Sequence, residues 1–278
     1  MRILIHVILH SITFLNYGLT QESSVALLPP ELSESSGLLA VNEVFLSIND
    51  SGGKPVVYVL DAKARLTHTC TIENAKNVDW EAITMDTKGN VYIGDFGNNN
   101  NDRSDLTIYR LKLVDVLSKS VAKATSIQFY YPDQHQFPPD KANWYYDNES
   151  LIAKDDSLFI FTKNRTKPFD GKVMVYGLAN QPGTQKLKAY APLSLPETSW
   201  LENSVTDACV IQNTLFLLTY RYVYVFNIRN SIPQLIDTIE FDSASQKEGL
   251  TYSKGALYLT DEKTILGAAK LYKINYPL

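Results

Sequence analysis

One phrase recurs five times along the chain: an acidic or small residue, a small residue, an apolar strand, a polar turn and a second strand. The copies read SSGLLAVNEVFLSIND (35–50), WEAITMDTKGNVYIGDF (80–96), NESLIAKDDSLFIFTKN (148–164), TDACVIQNTLFLLTYR (206–221) and KEGLTYSKGALYLTDE (247–262). Aligned on Ser36, Glu81, Glu149, Asp207 and Glu248, they are spaced by 45, 68, 58 and 41 residues. Periods of this length are the signature of a repeated supersecondary unit that must stack on its neighbours to bury a core.

Two more strand-like runs follow each copy. The third strands are PVVYVLD (55–61), LTIYRLK (106–112), KVMVYGL (172–178), YVYVFNI (222–228) and AKLYKIN (269–275). The fourth are LTHTCTI (66–72), TSIQFYY (125–131), KLKAYAP (186–192) and QLIDTIEF (234–241). Alternation and β-branched or aromatic residues support strands throughout. The fifth unit has no fourth strand of its own, and SSVALL (23–28) can supply it. This predicts an all-β fold: a single five-bladed β-propeller over 21–278, closed by its N-terminal strand, which leaves no open seam. The alternatives are six blades, one degenerate and hidden in 112–148, and a β-sandwich. VDVLSKSVAKA (114–124) in that interval reads as a short helix.

Composition narrows the setting. The chain has 278 residues, 45% apolar and 20% charged, so disorder is excluded. Two cysteines cannot staple a disulfide scaffold. Cys70 and Cys209 fall on different blades and are expected as free thiols. A net charge of −4 gives no case for nucleic acid as a partner. Residues 1–20 have a lone Arg2, an apolar Ile3–Leu15 stretch and small residues before Gln21, the anatomy of a signal peptide. A secreted or periplasmic monomer, with no membrane span after cleavage, is the expectation.

In a propeller the start of each first strand and the end of each second share one face. That face should gather Glu81, Glu149, Asp207 and Glu248 with Asn49, Asp50, Asp95, Lys163, Arg221, Asp261 and Glu262. Asp79 and Trp80 directly precede Glu81. Carboxylates in one mouth raise each other's pKa unless a cation compensates them. Lys163, Arg221 and Lys247 are internal candidates, and Ca²⁺, which favours oxygen ligands, is the external one. Its candidate ligands are Glu81, Asp95, Glu149 and Glu248. The competing expectation is that these acids cap backbone N–H groups between blades.

All three tryptophans, Trp80, Trp144 and Trp200, fall in blade-to-blade segments. They suit wedges between blades, or a groove for a glycan or small polar ligand. GDFGNNNNDRSD (94–105) mimics the start of an EF-hand but has Arg103 where glycine is required and Tyr109 at the terminal ligand position, so a solvated turn is expected. No G-x-S-x-G, HExxH, CxxC, Walker A or G-x-G-x-x-G sequence is present. His135 is the one histidine near the proposed mouth.

NDSGG (49–53), NVDWEAIT (77–84), YIGDFGNN (92–99), LFIFTKNR (158–165), VTDA (205–208) and QKEGL (246–250) resemble an uncharacterised family of secreted bacterial β-propeller proteins. The resemblance implies export and the propeller, and no established activity. It maps the family's acidic positions onto Asp79, Glu81, Asp95, Glu149 and Glu248. At the fourth repeat the relatives read like V-T-G-A-D, whereas this chain has VTDAC, which puts a repeated ligand at Asp207 in doubt. A weaker similarity, through Glu248–Gly249, runs to calcium-dependent lactonase-like propellers. Three functions are therefore expected: binding of a small polar ligand, glycan or cation at an acidic top face, a carboxylate-based hydrolase working with or without Ca²⁺, or a protein-interaction scaffold.

Overall fold

The computed structural model describes residues 23–196, 199–229, 232–265 and 267–278. The expected signal peptide, 1–20, lies outside them. Among the described residues, five sheets, each with an antiparallel four-stranded body, are arranged as a five-bladed β-propeller.

The innermost strands are β2 (Ser35–Val41), β6 (Trp80–Met85), β11 (Asp147–Lys154), β16 (Val205–Ile211) and β20 (Lys247–Ser253). Each packs against the next, and β20 packs against β2, so the ring is closed. Each pairs outward with the strand that follows it: β3 (Val44–Asn49), β7 (Asn90–Asp95), β12 (Ser157–Lys163), β17 (Thr214–Thr219) and β21 (Ala256–Asp261). The third strands are β4 (Val56–Asp61), β8 (Thr107–Lys112), β13 (Lys172–Ala179), β18 (Tyr222–Asn227) and β22 (Lys270–Asn275). The outer strands of the first four blades are β5 (Leu66–Ile72), β10 (Thr125–Tyr130), β15 (Lys188–Ser194) and β19 (Gln234–Glu240). β1 (Ser23–Leu27) completes the fifth by pairing antiparallel with β22.

The 112–148 interval holds no sixth blade. It contains helix α1 (Leu113–Ser118), β9 (Val121–Ala122), β10 and a short 3-10 turn at Lys141–Asn143. β9 pairs parallel with β5, and β14 (Gly183–Lys186) pairs parallel with β10. Two blades thus lend strands to the exposed edge of the blade before them, which blunts edge-to-edge association.

The core is divided among the interfaces between blades. Leu46, Ile48 and Val57 of the first blade meet Trp80, Ile83 and Val91 of the second. Leu151 and Ile160 meet Tyr92 and Ile108 at the next interface, and the remaining three are built likewise. Cys70 and Cys209 are free, as expected.

The closing interface joins Leu28 and Leu32, both buried, to Leu38, Leu60 and Leu271. Removing residues 23–28 uncovers the edge of β22 and empties part of this cluster. Compared with a chain beginning at Ser23, the shortened chain should lose about 3 kcal/mol or more in a urea melt, the range of a vacated core site. An unchanged midpoint would show that the seam is not held by β1.

Candidate functional site

A β-bulge opens every innermost strand. The register slips between Ser35 and Gly37, Trp80 and Ala82, Asn148 and Ser150, Val205 and Asp207, and Lys247 and Gly249. The extra residue in each case is Ser36, Glu81, Glu149, Thr206 or Glu248. A bulge re-aims a side chain that regular pairing would commit to the sheet face. Two of the five are neutral and join blades: Ser36 Oγ donates to the Trp80 carbonyl at 2.6 Å, and Thr206 Oγ1 to the Lys247 carbonyl at 2.6 Å. The other three are glutamates whose carboxylate oxygens lie within 4.8 Å of one another. All three are buried, at 4% exposure for Glu81, 2% for Glu149 and 5% for Glu248.

Glu81 belongs to a second triad as well. Its oxygen lies within 4.8 Å of those of Asp50 and Asp79, which are half-buried. Gly97 makes the close approach possible. A Cβ built there would stand 2.6 Å from Glu81 Oε1 and nearer still to the Asp79 carboxylate. Glu262, half-buried and just beyond β21, adds its charge to Glu248.

Three cations serve this mouth, and their partners are specific. Lys163 Nζ, 2% exposed as a residue, donates to Glu149 Oε1 at 2.6 Å and to Tyr220 Oη at 2.8 Å. Arg165 pairs with the buried Asp147 and stands 3.6 Å from Glu149 Oε1. Arg103 binds Asp95 Oδ1 at 3.0 Å. Asp50, Asp79, Glu81, Glu248 and Glu262 have no salt bridge among the described residues. Glu149 keeps one oxygen, Oε2, that is buried and receives no hydrogen bond there.

The electrostatic consequence is uniform. Burial first, then the charges of Glu149, Asp50, Asp79 and Glu248, hold Glu81 well above the carboxylate range. Burial and Asp50 push Asp79 up to about 8. Burial raises Glu248 to about 8 even against Lys163, with Glu262 and Asp50 pushing the same way. Burial and Asp50 raise Glu262 to about 7. Burial raises Glu149 too, despite its ammonium partner. Lys163 is desolvated, yet the Glu149 charge lifts it well above its ordinary value. These carboxyls therefore either keep protons near neutrality or face a cation the chain does not supply.

Several expected site residues sit elsewhere. Asp207 lies one position past the bulge, so Thr206 takes the place the repeat alignment gave to Asp207. Its carboxylate accepts from Ala208 N at 2.7 Å and Leu250 N at 2.6 Å, a cap between blades. Asp95 is not a free ligand, because Arg103 pairs with it and it accepts from Asp79 N at 3.0 Å. Trp80 is fully buried in the first inter-blade cluster, its Nε1 donating to Lys76 O at 2.8 Å. Arg221 binds Glu240 at 2.8 Å on the outer strand and does not reach the carboxylates. Asp261 accepts from Lys270 N and the Tyr272 hydroxyl. His135 is exposed. The 94–105 loop is solvated only in part: Asn99, Asn100, Asp102, Ser104 and Asp105 are exposed, whereas buried Asn98 and Asn101 bond the Tyr146 backbone and brace the next blade.

Arg165, Asp147 and Tyr220 were not singled out from sequence. Arg165 lies one residue past the third repeat phrase, and Tyr220 lies inside the fourth, one residue beyond β17, where its place at a strand end carries no charge to mark it. Trp144 and Trp200, both half-buried, line a separate cavity of about 370 Å³ beside the mouth, which Arg165 also lines. A larger cavity of about 500 Å³, between the third and fourth blades, is apolar and involves none of the carboxylates.

No family model matches the chain, and no curated protein matches it in sequence. Solved structures do resemble it. A luciferin-regenerating enzyme aligns over 92% of this chain and 95% of its own at 9% identity, with a TM-score of 0.53. PQQ-bound aldose sugar dehydrogenase from Streptomyces coelicolor aligns over 92% and 98% at 11% identity, TM-score 0.52. Myxococcus xanthus glutaminyl cyclase aligns over 92% and 94% at 8% identity, TM-score 0.51. At such identities the likeness is one of fold, and the fold is the β-propeller. Nothing in these comparisons bears on the particular secreted family that the repeat phrases resemble.

Gly97→Ala forces a methyl group into the Asp79–Glu81 contact and should destabilise the protein by about 1–3 kcal/mol, the cost of overpacking. Gly53→Ala, whose Cβ would have its nearest neighbour at 3.6 Å, should be close to neutral in the same thermal melt. Equal effects of the two would dismiss the close approach.

Proposed function

We propose that the mouth of the propeller binds a divalent cation, Ca²⁺ by its oxygen ligands, and through it a small polar ligand. The observation that carries this reading is the unbonded, buried Oε2 of Glu149 within the Glu81–Glu149–Glu248 cluster. Ligands on opposite sides of a Ca²⁺ at about 2.4 Å stand about 4.8 Å apart, so a triad of this span is the right size to close on one ion. The half-buried Asp50 and Asp79 leave the outer side accessible to ligand hydroxyls. The anatomy of residues 1–20 supports action outside the cytoplasm, where extracellular calcium modules work with dissociation constants of about 10⁻⁴–10⁻³ M.

A second reading is hydrolysis. Glu262, at about 7, exchanges protons where a general acid or base must. On this reading Glu262→Gln abolishes Ca²⁺-dependent turnover of an aryl glycoside panel while Ca²⁺ still binds; no turnover of any member would leave binding alone.

The cation reading has a pH signature. Carboxyls that ionise near 4 in the unfolded chain ionise at about 7–8 when folded. Between those values the folded state binds more protons, so stability falls as pH rises through the window. In chelator, the melting temperature should drop between about pH 5 and pH 8. Added Ca²⁺ should restore it, most at the alkaline end, and titration calorimetry should show one site that Glu149→Gln weakens at least tenfold. A melt indifferent to Ca²⁺ at pH 8 would reject the cation.

A further inference from the structure

The cavity beside the mouth is chemically unlike the mouth itself. It is lined by Trp144, Trp200, Phe169, Lys141, Arg165 and Lys167, with Asn99 and Thr166. No carboxylate lines it. Lys141 and Lys167 have no ion pair among the described residues, and both are exposed. The backbone brings the two lysines together: Lys167 N donates to Lys141 O at 3.0 Å, and Arg165 N to Trp144 O at 3.0 Å. Lys141 Nζ lies 2.9 Å over the Trp144 ring, and Arg165 Cζ is 5.4 Å from the Trp200 ring. Desolvation, then the neighbouring Lys167 charge, lowers Lys141 below its ordinary value. One ammonium thus rests on an aromatic wall with a second like charge close by, in a protein of net negative charge.

We infer that this cavity is a subsite for an acidic sugar: a pyranose ring carrying a carboxylate. The volume falls in the range of small-molecule sites, about 300–1,000 Å³. Trp200 and Phe169 offer apolar faces to the C–H face of a ring, while polar groups at the edge meet hydroxyls. Lys141 and Lys167 supply the countercharge for a carboxylate. Arg165 is already committed to Asp147 and Asn99, so it shapes the wall between this cavity and the carboxylate mouth. The neutral-sugar alternative leaves the paired lysines unexplained, and a bare inorganic anion leaves the three aromatic rings unexplained. The inference goes beyond the cation site and does not depend on it.

The test is calorimetric titration of the full chain in chelator, with glucuronate, glucose, benzoate and inorganic phosphate as probes. Glucuronate should bind saturably, with quenching of tryptophan fluorescence, and each other probe should bind at least tenfold more weakly. The double variant Lys141→Gln, Lys167→Gln should weaken glucuronate at least tenfold with an unaltered melting temperature, because both side chains are exposed. Trp200→Phe should reduce the fluorescence change. Equal affinity for glucose, benzoate or phosphate would overturn the assignment. So would an absence of saturable glucuronate binding, or a double variant that binds it like the parent. Because chelator is present throughout, loss of the cation site cannot produce or mask these results.

Discussion

The extra residue at the start of each innermost strand is the constraint on which the site depends. Without the bulge, the side chain at that position would point into an inter-blade cluster or leave the channel. With it, Glu81, Glu149 and Glu248 come from three different blades to one volume, their oxygens within 4.8 Å. Ser36 and Thr206, at the same position in the other two blades, show the default use of the bulge: a hydroxyl that bonds the neighbouring blade. The glutamates are departures from that default. Clustered buried carboxylates destabilise a fold unless protons or cations offset them, so their presence at three of five equivalent positions points to function more than to assembly.

The chain compensates part of this charge itself, and the pattern is selective. Arg103 and Arg165 neutralise Asp95 and Asp147, the acids nearest the loop scaffold. Lys163 takes one oxygen of Glu149 and the Tyr220 hydroxyl. What remains uncompensated is the inner set facing the channel. Next to it, the Trp144–Trp200 cavity has the opposite sign, with Arg165 between the two. A ligand spanning both would meet an acidic end and a basic aromatic end.

Much of this architecture was legible from residues alone. The five phrases, their strand runs and the closing role of 23–28 match the sheets closely, because alternating apolar residues set a strand's register and its buried face. Glu81, Glu149 and Glu248 were legible because they occupy the same place in each phrase. Asp207 was not, because a bulge shifts by one residue without changing composition: VTDAC aligns equally well either way, and only pairing of Asp207 with Leu218 reveals that Thr206 is the extra residue. The pairings of Arg103 with Asp95 and of Arg165 with Asp147 depend on loop paths that strand periodicity does not encode. The buried amides of Asn98 and Asn101 were hidden for the same reason, since asparagine-rich turns look solvated until their partners are known.

Crystals soaked in Mn²⁺, an anomalously scattering stand-in for Ca²⁺, would decide by direct observation whether a cation sits among the three glutamates. The expected result is an anomalous peak coordinated by oxygens of Glu81, Glu149 and Glu248, Glu149 Oε2 among them. A map with no peak there, and with the glutamate carboxyls drawn together at hydrogen-bonding distance as proton-sharing pairs, would contradict it.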